Sequence, residues 1–221
     1  MLDWNTPKLS DKEWIEKCVK ESQYIGSDAA FANIYLLRSK YNIKVTYYKD
    51  LLIRYYEGLG SRKGYTFPLG RKDVLSALYA IEQDAKEMNR PLEFCFVTEE
   101  QKEILENTFA GRTESSSDAG DYDYIYGQPE LSLLSGRTYH KKKNHVSKFK
   151  RTYEDYMFCE IGNGNLDDVM LIEDEWYYDR LQQDDTSAMK EYEAIREAVD
   201  NFEELSLSGG IIYANNVPVA M

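Results

Sequence analysis

Residues 44–70 read KVTYYKDLLIRYYEGLGSRKGYTFPLG, followed by DVLSALYAIEQDAKEM at 73–88 and EFCFV at 93–97. Lys44–Tyr48, Leu51–Tyr56 and Tyr65–Phe67 are short runs rich in Tyr, Val and Ile, residues that suit a half-buried pleated surface. Lys49-Asp50 and a loop carrying Gly58, Gly60 and Gly64 separate them, as turns separate neighbouring strands. Pro68-Leu69-Gly70 breaks the pattern. The period then changes. Val74, Leu75, Leu78, Ile81, Ala85 and Met88 fall on one face of a helix running from about Asp73 to Met88. Pro91 ends it, and Glu93–Val97 reads as a buried strand. Three strands, a long helix and a further strand predict a mixed sheet of α/β (α+β) character.

Working outward, Ser10-Asp11-Lys12-Glu13 has the form of a capping box, with Trp14, Ile15, Cys18 and Val19 on one helical face behind it. A second helix is expected from Ser27 or Asp28 through Phe31, Ile34, Tyr35 and Arg38. Downstream, Thr98-Glu99-Glu100-Gln101 is another capping box, opening a helix that ends near Gly111. A polar loop at 112–121 leads to an expected strand at Tyr122–Tyr126. A second series follows: a strand at Tyr156–Ile161, helices over Leu166–Leu181 and Asp185–Glu204, and a hairpin of Ser208–Ala214 and Val217–Met221 across Asn215-Asn216. The last strand is apolar and nothing follows to cover its edge, a feature that sheets usually avoid. The expectation is therefore one complete domain and the beginning of another. The alternative is that the hairpin closes the first sheet.

Charge divides the chain along the same lines. The formal net charge of −12 over 221 residues is uneven. Residues 1–130 carry −5, residues 131–153 carry +7 with no acidic side chain, and residues 154–221 carry −14. The acidic total excludes generic DNA coating, which needs a cationic surface. No apolar run approaches the roughly 20 residues of a membrane span, so stable membrane insertion is not expected. Three widely spaced cysteines, Cys18, Cys95 and Cys159, give no disulfide framework. With no secretory signal at the start, a cytoplasmic location is expected.

The basic island is the strongest local signal. As a helix, Tyr139, Val146 and Phe149 form an apolar stripe. Lys141, Asn144, Lys148 and Arg151 line the opposite face, while Lys142 lies near the stripe and must snorkel. Such a row suits phosphate, with lysine supplying charge and asparagine orientation. The alternative is a solvated linker helix neutralised by the acidic C-terminal segment. His140 and His145 stand five apart, on different faces, and no cluster completes a zinc site. His145 is open to two readings, general base or surface histidine. The glycines at 58, 60 and 64 precede a strand rather than a helix, so they form a hairpin and not a phosphate loop. Ser115-Ser116-Ser117 has no base nearby, and the acidic runs Glu173-Asp174-Glu175 and Asp184-Asp185 read as solvated helix ends.

Asp123-Tyr124-Ile125-Tyr126, Leu131 to Leu134, and the run from Ser135-Gly136-Arg137-Thr138-Tyr139-His140 through Lys141-Lys142-Lys143-Asn144-His145 to Val146-Ser147-Lys148-Phe149 together resemble a family signature. The family is phosphatidylglycerol lysyltransferase C-terminal domain-like. Tyr65 to Gly70, Ala32 to Tyr35, Asn201 to Leu205 and Leu207 to Ile212 are similar to it as well. The resemblance implies a tandem of acetyltransferase-like (GNAT) units related to Fem-type aminoacyl transferases, the second unit being cut short. One GNAT-like unit would span 1–130, a basic connecting helix 131–153, and the start of a second unit 154–221. It implies an acyl or aminoacyl donor, acyl-CoA or aminoacyl-tRNA, and no resident cofactor. Arg137, Tyr139, Lys141, Lys142, Lys143, Asn144, His145 and Lys148 would hold donor phosphates. The loop where a GNAT unit cradles pyrophosphate is here Phe67 to Asp73, with one glycine, so the first unit is not expected to bind CoA. No catalytic residue is assigned. A non-catalytic module that binds an anionic ligand or protein partner is the competing expectation.

Overall fold

The computed structural model of the protein describes residues 2–58, 62–181 and 186–221. They divide into two compact units, Met1–Tyr122 with Glu193–Ala198, and Asp123–Tyr192 with Val199–Met221.

Unit 1 is built on the strands read from the opening stretch: β1 (Lys44–Tyr48), β2 (Leu51–Glu57), β3 (Lys63–Thr66) and β4 (Phe94–Cys95), in that order across one sheet. β1–β2 and β2–β3 pair antiparallel, and β3–β4 pair parallel. The helix between the parallel strands, α3 (Leu75–Glu87), is the crossover such a pair requires. The expected strand over 93–97 shrinks to two residues because Phe96 turns into the left-handed region at φ 56°. Gly60 lies outside the described residues. Gly64 sits at φ 110°, where a Cβ would meet the Glu93 carbonyl at 2.5 Å, so this close approach of β3 to the chain before β4 requires glycine.

The register assigns side chains to two faces. Leu51, Ile53, Tyr55, Tyr65 and Phe67 form one core with Ala77, Leu78, Ile81 and Ala85 of α3 and with Leu105 of α4 (Glu99–Thr108). On the other face Tyr47 meets Trp14 of α1 (Lys12–Ser22), with ring centroids 5.2 Å apart, and the Cys18 thiol donates to the Asp50 carbonyl. Ile34 of α2 (Phe31–Leu36) is also buried. The Thr98–Gln101 capping box forms as expected, with both reciprocal bonds made. The box expected at Ser10 does not. Asp11 instead accepts from the Lys8 amide at 2.8 Å, and a short 3-10 turn over 9–11 takes the place of the first helical turn.

Unit 2 opens with α5 (Gln128–Leu133) and α6 (His140–Thr152). The strand expected at Tyr122–Tyr126 is absent: those residues are irregular and exposed. Their alternation fits a strand, but among the described residues no strand pairs with them, and an isolated strand has nothing to hold it. A three-stranded antiparallel sheet follows, β5 (Met157–Glu160), β6 (Gly210–Ala214) and β7 (Val217–Ala220), with β6 in the centre. Between β5 and β6 lie α7 (Leu166–Leu181) and α8 (Thr186–Asp200). Asp184 and Asp185 lie outside the described residues. Asn165 starts α7 by accepting from the Gly162 amide at 2.8 Å and donating to the Glu160 carbonyl at 3.0 Å. Tyr213 of β6 donates to Asp168 of α7 at 2.6 Å, fastening helix to sheet.

Candidate functional site

Two kinds of polar group are candidates for chemistry, those sealed in unit 1 and those displayed on α6. Asp84 of α3 is fully buried. Its Oδ2 accepts from the Tyr65 hydroxyl at 2.8 Å, Arg90 Nη2 at 3.0 Å and Trp4 Nε1 at 3.1 Å. Its Oδ1 accepts from the Leu2 amide at 3.2 Å. Arg90 also lies over the Tyr55 ring at 4.0 Å. Burial, and then the bond to Asp84, push the Tyr65 hydroxyl well above its ordinary pKa. A carboxylate with four donors in place is committed to structural hydrogen bonds. Asp84 is a tie between the chain's start, α3 and β3.

A second buried group sits on the opposite face of the sheet. Arg54 pairs with Asp28 at 2.8 Å and donates to the Asp28 carbonyl at 2.6 Å and the Tyr56 hydroxyl at 3.2 Å. Tyr24 donates to the other Asp28 oxygen at 2.7 Å. The two buried thiols, Cys18 and Cys95, offer no nucleophile. Burial, the largest cause in each, pushes Cys18 up to about 11 and Cys95 up to about 12, so both stay protonated at neutral pH.

The residues expected to bind phosphate have the opposite character. Arg137 and Tyr139 lie in a short 3-10 turn at 137–139 that leads into α6, which carries Lys141, Lys142, Lys143, Asn144, His145 and Lys148. Tyr139 is half-buried and the other seven are exposed. No residue of α6 is buried. Helical spacing brings Lys141, Asn144 and Lys148 to one strip and places Lys142 and Lys143 away from it. Lys142 stands 5.6 Å from the centroid of the Tyr126 ring and Lys150 stands 5.9 Å from that of Tyr156. His140 Nδ1 and Asn144 Nδ2 are 3.5 Å apart.

The described residues bear on the expected alternative, neutralisation of α6 by the acidic segment, only in part, since Asp184 and Asp185 lie outside them. Among the described residues no cation of α6 makes an ion pair. Besides its own backbone bonds, the helix has aromatic contacts at its C-terminal end. Phe149 packs on Tyr153 at 5.1 Å and edge-on to Tyr156 at 5.4 Å. The apolar stripe is thereby split, for Phe149 is half-buried while Val146 is exposed. Tyr126 and Tyr156 enter the sequence reading only within the family signature and as strand ends, and Tyr153 not at all; none is expected there as a neighbour of the basic helix. The signal that could have found them was the recurrence of tyrosine on both flanks of the island.

The loop from Phe67 to Asp73 is tied by its backbone to β2. Leu69 and Leu52 exchange amide–carbonyl bonds of 2.8 and 2.9 Å, and Phe67 and Leu69 are buried. Asp73 accepts from the Leu75 amide at 3.0 Å at the start of α3. The Leu69 amide is thus committed to the sheet and the Leu75 amide to Asp73.

Among the described residues no helix is long and apolar enough to cross a membrane, and no group of three or more acidic, His or Cys side chains could hold a metal. The fold is a mixed α/β arrangement with an exposed cationic helix. Residues 20–221 match the family described as phosphatidylglycerol lysyltransferase, C-terminal, and the chain belongs to that family. A crystal structure of a conserved protein of unknown function from Bacteroides thetaiotaomicron VPI-5482 is similar throughout, with TM-score 0.86 and 26% identity, over 99% of this chain and 73% of that one. Comparison with curated proteins gave no match.

Proposed function

We propose that the chain is an acyltransferase-type domain of the GNAT/Fem kind, which receives an aminoacyl or acyl group from a phosphate-bearing donor and passes it to an amine or hydroxyl. The observation that carries this reading is α6. Its six lysine and arginine side chains are exposed and have no ion-pair partner among the described residues, within a segment matching a lysyltransferase family. In this reading Lys141, Asn144 and Lys148 hold donor phosphate along one strip, while Arg137, Tyr139, Lys142, Lys143 and His145 flank it. A GNAT-like unit over 1–130, a connecting helix over 131–153 and the start of a second unit over 154–221 would organise the chain. The antiparallel run β1–β3, the crossover α3 and the parallel β4 support the GNAT-like label. An isolated antiparallel pairing of Asn5 with Val45 stands where a first strand is otherwise lacking.

Aminoacyl-tRNA is the donor favoured over acyl-CoA. The Phe67 to Asp73 loop carries one glycine and has its Leu69 amide committed to Leu52, which leaves a poor cradle for pyrophosphate. In the reaction a positioned acceptor attacks the activated carbonyl, and polar groups stabilise the oxyanion. The second reading, a non-catalytic module that binds an anionic ligand, is favoured by Asp84. The most deeply buried carboxylate of unit 1 is engaged by Leu2, Trp4, Tyr65 and Arg90 of the chain itself. Titration with charged and uncharged tRNA at two salt concentrations tests the proposal. Salt-sensitive binding supports it, and absence of binding at both concentrations removes the tRNA donor. Transfer of the aminoacyl group to a small amine distinguishes enzyme from module.

A further inference from the structure

The sheet of unit 1 carries a polar patch that its own side chains leave incomplete. Tyr55 stands opposite Tyr65 in the antiparallel β2–β3 ladder, so the next rung sets Arg54 beside Thr66. Thr66 in turn pairs with Cys95 of β4. Alternation puts Arg54, Tyr56, Thr66 and Cys95 on one face, opposite the core that Tyr55 and Tyr65 share with α3. Arg54 and Thr66 are each 1% exposed, and Tyr56 and Cys95 are buried with them. Nη1 of Arg54 donates to the Asp28 carbonyl at 2.6 Å and to the Tyr56 hydroxyl at 3.2 Å, and Nη2 stands 2.8 Å from Asp28 Oδ2. Arg54 Nε has no partner among the described residues, and neither has Thr66 Oγ1. Their neighbours are turned elsewhere: Asp28 Oδ1 takes the Tyr24 hydroxyl at 2.7 Å, and the Cys95 thiol points to the Gly64 carbonyl at 3.7 Å. Buried polar atoms in folded proteins are paired with protein or with water, because an unpaired one forfeits its hydration.

We propose that unit 1 binds an internal water molecule at this patch, which accepts from Arg54 Nε and is hydrogen-bonded to Thr66 Oγ1. The Tyr56 hydroxyl, which accepts from Arg54 and donates to no group among the described residues, is a third partner on the same face. Three partners fall within the two to four that a buried water takes. The chemistry discriminates among occupants. Chloride could accept from the same donors, but the charge of Arg54 is already matched by Asp28, so an added anion would lie buried without a counter-charge. Burial excludes an organic ligand, since groups 1% exposed admit nothing large without opening the sheet. Water both accepts and donates, as an N–H beside a hydroxyl requires. It joins β2 to β3 on the face where β3 and β4 share only two paired residues, and so braces the sheet where its ladder is shortest. The site is independent of α6 and of the donor reading above.

The full chain is compared with Thr66→Val, which keeps the shape and removes the hydroxyl, and with Thr66→Ser, which keeps the hydroxyl. In crystals grown in chloride or bromide, the parent and Thr66→Ser should show a density peak within hydrogen-bonding distance of both Arg54 Nε and the residue 66 hydroxyl. Bromide should give no anomalous signal there. In solution, oxygen-17 relaxation dispersion should count one long-lived water fewer in Thr66→Val than in the parent. The sign of the thermal shift is a further test. A hydroxyl that holds a water contributes a bond, so Thr66→Val should lower the melting temperature by about 4 °C. A hydroxyl buried without a partner would be a liability, and its removal would raise the melting temperature, which overturns the proposal. So does a map that resolves buried waters elsewhere in unit 1 but none here, or a long-lived water count that Thr66→Val leaves unchanged. An anomalous bromide peak would make the patch an anion site and overturns the water reading too.

Discussion

α3 and α6 are both 13 residues long, and they meet opposite fates. α3 buries Ala77, Leu78, Ile81, Asp84 and Ala85 against the sheet of unit 1. α6 buries nothing. The difference follows from composition: α3 repeats small and branched apolar residues at helical spacing, whereas α6 places a cation at nearly every second position. An α3-like helix owes its stability to packing. A helix such as α6 keeps its shape through its own backbone bonds and a few aromatic contacts, which leaves its side chains available to a ligand. The one charge that α3 buries, Asp84, is met by four donors, whereas the cations of α6 are exposed and make no ion pair among the described residues.

The contrast can be broken first on the α3 side. Asp84→Ala removes the acceptor for four donors and strands the largely buried Arg90 guanidinium, so it should cost about 3–5 kcal/mol in urea unfolding. A loss near zero would mean the network is not a structural tie. Next comes Arg38, which donates to Glu197 at 2.6 and 2.8 Å while Tyr35 donates at 2.7 Å. Arg38→Ala should cost about 2 kcal/mol. Burial raises the Glu197 pKa, but the bonds from Arg38 and Tyr35 outweigh it and hold the carboxyl below its ordinary 4.5. The stability this group contributes is present above pH 4.5 and lost as pH falls through the folded value. An acid titration of melting temperature should therefore be flatter in Arg38→Ala.

Glu173 of α7 sharpens the comparison from the other unit. It is buried, its Oε1 has no partner among the described residues, and burial first, then Glu191 and Asp174, push its pKa up. A raised carboxyl favours the folded state below its unfolded value of 4.5, and that advantage is lost as pH rises through the folded value. Glu173→Gln should consequently stabilise by about 1 kcal/mol at neutral pH, with the gain vanishing in acid. Thermal melts at the two pH values check it. Smallest of all should be the effect on folding of changing the α6 lysines, within about 0.5 kcal/mol.

Local signals were legible and non-local ones were not. Lys44–Tyr48, Leu166–Leu181 and the Asn215-Asn216 hairpin are where pattern and turn chemistry place them. The Thr98–Gln101 box formed because both partners are three residues apart and nothing competes. The Ser10 box lost to Asp11, which caps one turn earlier. Tyr122–Tyr126 has strand composition without a partner strand. The Asp84 network joins Leu2, Trp4, Tyr65 and Arg90, and the Glu197 pair spans 159 positions. Periodicity carries no information about such meetings. The candidate site was legible for the reason it is exposed: its residues are contiguous, and their charge contrasts with the chain around them. Its aromatic surroundings were hidden, since tyrosine is common throughout the sequence.

The central claim is that α6 faces a ligand rather than the rest of the protein. The measurement that addresses it most directly is a parallel melt and tRNA titration of the chain with Lys141, Lys143 and Lys148 changed to Gln. The account predicts an unchanged melting temperature together with loss of salt-sensitive binding. A lowered melting temperature with binding retained would contradict it, and would make the helix a structural element.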